Sequence, residues 1–172
     1  MDLPTILSLI GVATSLFAII GLWIEIRSSR LALKTETALH LEDQFYSPEM
    51  VKTRQIAAKK LLEGNPYNHE LSDVLDHFAR ITLLVKRKAI DRQLAYDLQE
   101  YWFVRYWLVS KEYVAAAREY DPYSWSAYEN LVKYMMKKNP QEYSPQMLKQ
   151  FLLEEARYDG EPLETPKTIE DS

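Results

Sequence analysis

The sequence predicts an all-α protein, in which a single N-terminal transmembrane helix continues into a cytoplasmic bundle of about five to six helices. Three observations support this fold class. Residues 3–24 contain no charged side chain, whereas charged residues are frequent in the rest of the chain. Apolar residues beyond this segment recur at intervals of three and four, the spacing of a helix with one buried face. No segment alternates between apolar and polar residues with a period of two, so no strand is expected.

Residues 1–26 are predicted to form a transmembrane anchor. A helix over the uncharged segment is about 33 Å long, which is enough to cross a hydrocarbon layer about 30 Å thick. Such a helix also satisfies its own backbone hydrogen bonds. A cleaved signal peptide needs a basic N-terminal region, and no lysine or arginine precedes Arg27. The anchor is therefore expected to stay attached to the chain.

Three basic residues follow the predicted anchor, namely Arg27, Arg30 and Lys34. The other flank offers only Asp2, so the positive-inside rule places the C-terminal domain in the cytoplasm and the N-terminus outside. The same three side chains can contact anionic lipid head groups, at about 1 kcal/mol each. They are thus predicted to be both the topology signal and a lipid head-group contact.

Small residues recur along one side of the predicted anchor. Ser8, Gly11, Ser15 and Ala18 are separated by three, four and three positions, which places them on one seam of the helix. Such a seam allows a second helix to approach closely. Self-association through this seam and a solitary anchor that happens to carry small residues both remain open.

The stalk, residues 27–46, is predicted to extend the membrane helix without a break, because it contains neither glycine nor proline. Ser47-Pro48 then supplies an N-cap hydroxyl and a first-turn proline, which predict a helix that reaches Leu62 and ends at Gly64. A further helix is predicted over residues 70–88, with Asp91 as the N-cap of the next one.

The helix predicted over residues 92–119 is apolar nearly all round in its middle and therefore belongs in the centre of the bundle. Asp121-Pro122 and Ser144-Pro145 predict the starts of two more helices. The cytoplasmic bundle is assigned to residues 47–158. Residues 159–172 combine prolines with acidic residues and are predicted to be a disordered tail.

Two tryptophans of the predicted central helix, Trp102 and Trp107, fall on different sides of it. This distribution favours burial in the core over one lipid-facing stripe or a ligand pocket. Arg105 lies among apolar residues of the same helix, so its guanidinium needs a carboxylate or stacked aromatic rings. A structural ion pair is favoured there over an anion-binding site.

A second basic group lies at the end of the helix predicted over residues 70–88. These side chains complement the negative end of the helix dipole, which explains them more simply than contact with phosphates. The members of this group are Lys86, Arg87, Lys88 and Arg92.

Composition excludes several function classes. The chain has no cysteine, so disulfides, thiol catalysis and thiolate metal sites are excluded. A net charge of -4 argues against nucleic acid as a partner. With only four glycines there is no Gly-rich phosphate loop, and no serine stands in a strand-turn-helix elbow. We therefore assign no catalytic residue, no cofactor and no metal ligand.

A metal-dependent enzyme remains the alternative from another class. Its ligands would come from Glu36, Asp43 and Asp73 together with His40 and His77. A carboxylate metal site in a helical bundle uses Glu-x-x-His pairs, and the sequence contains none. Charged pairs on solvated helix faces are the simpler explanation of these residues.

The order of features resembles a family of bacterial membrane-anchored helical proteins known only as a domain of unknown function. The resemblance is carried by the N-terminal apolar helix followed in order by FYSPEMVKTRQ, DVLDHFARITLLVKRKAIDRQL, YWFVRYWLVSKEYVAAAR and YSWSAYENL. It covers most of the chain. It implies the helical architecture and a bacterial inner membrane, and it implies no activity.

The sequence therefore predicts a single-pass protein of the inner (plasma) membrane. Its cytoplasmic helical domain is expected to act as a protein-binding or scaffold module, with the lipid bilayer and an unknown protein as partners. Two alternatives stay open: a membrane-tethered enzyme or metal-binding bundle, and a membrane effector that forms homo-oligomers.

Overall fold

The computed structural model describes residues 3–65 and 68–158, and within residues 3–16 it describes the backbone only. The described residues form seven α-helices and no strand, which confirms the all-α prediction. The helices are α1 (Leu3–Phe45), α2 (Pro48–Leu62), α3 (His69–Lys86), α4 (Arg92–Val109), α5 (Lys111–Arg118), α6 (Ser126–Lys138) and α7 (Pro145–Arg157). The predicted tail, residues 159–172, lies outside the described residues.

Helix α1 runs without interruption for 43 residues, as the absence of glycine and proline from the stalk predicts. Ala38, Leu41 and Phe45 at its C-terminal end are buried against the bundle. Over the residues that the structure describes, no helix combines the length and apolar character that crossing a membrane requires. The predicted anchor includes residues 1–16, whose side chains lie outside this description.

Two helix starts follow the predicted cap chemistry. The Ser47 hydroxyl accepts a hydrogen bond from the Met50 amide at 3.3 Å, and the Ser144 hydroxyl accepts one from the Met147 amide at 3.2 Å. In both helices a proline follows the cap, where the missing amide hydrogen costs nothing. Helix α2 ends at Leu62, and Gly64, two residues later, has a left-handed φ of 72°, a conformation that glycine adopts readily.

The prediction of one helix over residues 92–119 is wrong, because the helix is interrupted at Ser110, between α4 and α5. The buried Ser110 hydroxyl donates to the Trp107 carbonyl at 3.1 Å. A serine whose hydroxyl hydrogen-bonds to a carbonyl of the preceding turn competes with the backbone hydrogen bonds of the helix.

The helix start predicted after Asp121-Pro122 is also displaced. The Asp121 carboxylate instead accepts from the Tyr123 amide and the Ser124 hydroxyl, which makes a turn that delays α6 to Ser126.

Helix α4 lies at the centre of the bundle, in contact with α3, α6 and α7. Trp102 and Trp107 are 6 % and 7 % exposed on different sides of it, which confirms core burial. Trp102 lies 5.4 Å from the ring of Phe45 in α1, and Trp107 lies 5.3 Å from the ring of Tyr128 in α6. The phenyl ring of Phe78 on α3 fills the space between these elements.

Candidate functional site

A groove lies between α1 and the turn that joins α3 to α4. We call it the basic groove. Its volume is about 1020 Å³. Side chains from α1 form one wall, and the residues that follow α3 form the other. The lining residues are Trp23, Ile26, Arg27, Arg30, Leu31, Leu33, Lys34, Thr37, Lys88, Ala89 and Asp91.

Lys88 reaches the basic groove from a backbone conformation that favours glycine. Its φ is 60°, in the left-handed region. Two hydrogen bonds close the end of α3 around it: the Lys88 amide donates to the Val85 carbonyl at 3.0 Å, and the Ala89 amide donates to the Leu84 carbonyl at 2.9 Å. This is a Schellman ending, in which glycine usually occupies the left-handed position. A lysine there costs about 1 kcal/mol relative to glycine.

Positive charge predominates in the basic groove. Four cations line it against one carboxylate, that of Asp91. Lys34 Nζ lies 2.8 Å from Asp91 Oδ1 and joins α1 to the N-terminal end of α4. Asp91 occupies the N-cap position of α4 as predicted, yet its side chain makes this ion pair instead of a cap hydrogen bond. Among the described residues, Arg27, Arg30 and Lys88 form no ion pair.

The basic groove is also apolar along one side, where Trp23, Ile26 and Leu31 are all exposed by half or more. The Arg27 guanidinium lies 5.4 Å from the centre of the Trp23 ring. Cations beside exposed apolar and indole surface match the chemistry of an anionic headgroup with the first carbons of its chains.

The predicted basic residues form different groups in the structure than they do along the sequence. It brings Lys88 beside Arg27, Arg30 and Lys34, which the chain separates widely. Lys86 and Arg92 instead line a smaller groove of about 250 Å³ on the other side of the turn. The left-handed residue at the end of α3 sends its side chain toward α1, and the sequence contains no periodic signal for this placement.

The predicted self-association seam is described only in part. Ala18 is exposed on α1. The side chains of Ser8, Gly11 and Ser15 lie outside the described residues, and self-association stays a prediction.

A buried charged cluster joins α2, α4 and α7. Arg54 and Glu155 are 1 % and 2 % exposed, with Arg54 Nε at 3.4 Å from Glu155 Oε2. The Tyr106 hydroxyl donates to the same carboxylate. The Arg54 guanidinium lies 4.0 Å from the centre of the Phe45 ring and 5.0 Å from that of Trp102. Burial raises the pKa of Glu155, and the charge of Arg54 opposes that rise.

This charged cluster was not predicted, although the sequence contains a signal for it. Arg54 stands between Val51 and Ala57 at the spacing of a buried helix face, and Glu155 follows Phe151 at the same spacing. A charged residue at core spacing indicates a buried partner of opposite charge. Arg54 and Glu155 are almost fully buried, and neither lines any of the grooves described here.

The Arg105 guanidinium packs against aromatic rings and not against a carboxylate, which is the second of the two predicted environments. Its guanidinium lies 3.7 Å from the centre of the Tyr101 ring and 5.5 Å from that of Tyr143. It also donates to the Tyr101 carbonyl at 3.1 Å. The favoured ion pair is absent from the described part of the chain.

The residues of the metal alternative lie along two different grooves. Glu36, His40 and Asp43 line one on α1, whereas Asp73 and His77 line another beside α2 and α3. In the described ranges, no three histidine or acidic side chains come together in a way that could hold a metal ion.

His77 is buried, and its Nε2 has no hydrogen-bond partner in the described part of the chain. Its ring centre lies 5.5 Å from that of Phe45. Burial, followed by the charges of Arg80 and Arg54, lowers its pKa to about 4. His77 is therefore neutral at pH 7 and packs as an aromatic core residue.

Fold and groove together define a helical bundle carried on one long N-terminal helix, with a cluster of cations where the two meet. The chain belongs to the family described as Domain of unknown function (DUF4760), whose model matches residues 5–135. The match includes all of the basic groove and ends before α7, so Glu155 lies beyond it. No curated protein and no solved structure matches the chain.

Proposed function

We propose that this protein is a single-pass membrane protein whose cytoplasmic bundle is a binding or scaffold module, held at the inner membrane surface by anionic lipid head groups in the basic groove. The observation that carries the proposal is the position of Lys88. The bundle contributes this cation to the same groove as Arg27 and Arg30, so one bound anion would contact both the stalk and the domain. An unidentified protein is expected to bind elsewhere on the bundle.

Distances along α1 support this use of the groove. From the end of the uncharged segment at Ile24, Arg27 is about 5 Å and Arg30 about 9 Å along the helix axis. The headgroup layer extends about 5 to 7 Å beyond the hydrocarbon on each side. Both guanidinium groups therefore lie within the headgroups or within about 10 Å of them, one Debye length at moderate salt.

The experiment compares two double variants of the full-length protein. The groove variant combines Arg30→Gln with Lys88→Gln and so removes two cations of the basic groove. The matched control, Lys86→Gln with Arg92→Gln, changes net charge equally on the other side of the turn. Retention of phosphatidylglycerol and of phosphatidylcholine is measured by native mass spectrometry of the protein in detergent.

We expect the groove variant to bind phosphatidylglycerol about 30-fold more weakly, because each cation near a surface contributes about 1 kcal/mol. The control should bind as the parent does, and phosphatidylcholine retention should not change. Equal loss in both variants, or no preference of the parent for the anionic lipid, would contradict the proposal.

A further inference from the structure

Beside the basic groove, α1 carries an exposed apolar stripe, which we call the outer face and whose Ile26 and Leu33 also border that groove. It consists of Leu22, Ile26, Ser29 and Leu33. The three apolar members are 59 %, 51 % and 63 % exposed. The residues that α1 buries against the bundle, Ala38, Leu41 and Phe45, lie on the far side of the helix at 100° per residue.

Lipid cannot cover the whole outer face. Leu33 is about 14 Å along the helix from Ile24, the last residue of the uncharged segment. The headgroup layer is only about 5 to 7 Å deep. Leu33 therefore lies beyond the headgroup layer of the proposed membrane, where its exposed side chain can pack against another protein.

The spacing of the outer face is that of a two-stranded coiled coil. Ile19, Ile26 and Leu33 stand seven residues apart at one core position, and Leu22 and Ser29 stand seven apart at the other. Ile19 and Ile26 at the first position with Leu22 at the second match the pattern that favours a dimer. In the sequence, the second core position recurs backward at Ser15 and Ser8 of the predicted seam.

The charges beside the outer face are complementary to those of a second copy. Glu25 precedes Ile26 and Arg30 follows Ser29, so the two are five residues apart on opposite edges of the stripe. In a parallel coiled coil these positions lie across from each other in the two chains. Glu25 of each copy would then face Arg30 of the other, whereas an unrelated partner need not match this pattern.

We infer that the outer face of α1 binds a second copy of the chain as a short parallel coiled coil, with one bundle on each side. The parallel direction rests on the proposed membrane anchoring, because anchored copies share one orientation. The contact ends after Leu33, where the next core positions are Glu36 and His40. Two like carboxylates would oppose each other there.

The absence of cysteine from the chain allows a direct test. Ser29→Cys places a thiol at a core position of the coiled coil, and Ser28→Cys places the same thiol one residue earlier, on the flank. Both serines are exposed. A disulfide needs Cβ atoms within about 4.5 Å of each other. Membranes that contain either full-length variant are treated with a mild oxidant, and dimers are measured by non-reducing electrophoresis.

We expect rapid dimer formation for Ser29→Cys and at least tenfold slower formation for Ser28→Cys. Equal rates, or no dimer from Ser29→Cys, would overturn the inference. Adding Leu33→Asp to Ser29→Cys should abolish the dimer, whereas Leu39→Asp, at an exposed leucine on another face of α1 and outside the basic groove, should not. Crosslinking that survives Leu33→Asp would show that the anchors alone bring the copies together.

Charge reversal tests whether Glu25 of one copy pairs with Arg30 of the other, or whether the crosslink forms by chance collision. Glu25→Arg should slow the Ser29→Cys crosslink, and adding Arg30→Glu should restore it. Failure of the second change to restore the rate would overturn the predicted pairing. The comparison of Ser29→Cys with Ser28→Cys leaves every residue of the basic groove in place, so a groove that binds no phosphatidylglycerol leaves that comparison interpretable.

Discussion

Arg54 carries a charge into the interior of the bundle, where Glu155 is the one carboxylate that pairs with it among the described residues. Replacing it with alanine would leave Glu155 buried and unpaired, so we expect a loss of about 3 to 5 kcal/mol in the free energy of unfolding at pH 7. Without the opposing charge of Arg54, the pKa of Glu155 should rise further. The loss should therefore shrink as the pH falls and Glu155 takes up a proton.

Denaturant titration of the full-length protein in detergent, at several pH values, measures this effect. The control is Arg54→Met combined with Glu155→Gln, which removes both charges and keeps an acceptor for the Tyr106 hydroxyl. This pair should recover most of the stability, since apolar replacement of a buried ion pair is often neutral. A double variant as unstable as Arg54→Ala would mean that packing around Arg54, rather than charge, is decisive.

His77 should make the bundle less stable in mild acid. Its pKa is about 4 in the folded protein and near 6.5 when unfolded. The unfolded chain thus binds more protons between these values. The contribution of neutral His77 to the free energy of unfolding is complete above pH 6.5. As the pH falls toward 4, roughly 3 kcal/mol of it is lost. The difference in unfolding free energy between the parent and His77→Leu, followed from pH 7 to 4, should show this slope; a constant difference would refute it.

At the scale of single elements, the ending of α3 combines a local strain with a cation of the basic groove. Lys88→Gly should raise the free energy of unfolding by about 0.5 to 1 kcal/mol, because glycine adopts a φ of 60° without a Cβ clash. It should at the same time weaken phosphatidylglycerol retention. Lys86→Gly, inside the last turn of the helix, should instead destabilise by about 1 kcal/mol and leave retention unchanged.

Local chemistry predicts the elements well where the decisive groups are neighbours in the chain. Ser47 and Ser144 cap their helices as expected, because a hydroxyl needs to reach only three residues ahead. Ser110 was missed, since a serine tolerated within a helix and one that breaks it look alike until the surrounding core is known. The pairing of Arg54 with Glu155 and the approach of Lys88 to α1 depend on tertiary packing, which no local pattern records.

At the scale of the whole molecule, orientation is the property that the sequence predicts most directly. A reporter enzyme that works only in the cytoplasm, fused after Ser172, should be active, because the basic residues nearest the predicted anchor lie on its C-terminal side. Protease added to the outer face of the membrane should leave residues 47–158 intact. Digestion of that region from outside would place the bundle in the opposite compartment.

The continuity of α1 has a mechanical consequence. One helix about 65 Å long runs from Leu3 to Phe45 with no hinge. Phe45 contacts Trp102 and Phe78 in the core, so the far end of this rod is fixed in the bundle. Any rotation of the N-terminal part of α1 about its axis would therefore turn the bundle by the same angle. Inserting one residue after Thr37 would turn Arg27, Arg30 and Lys34 by about 100° relative to Lys88 and so separate the two walls of the basic groove.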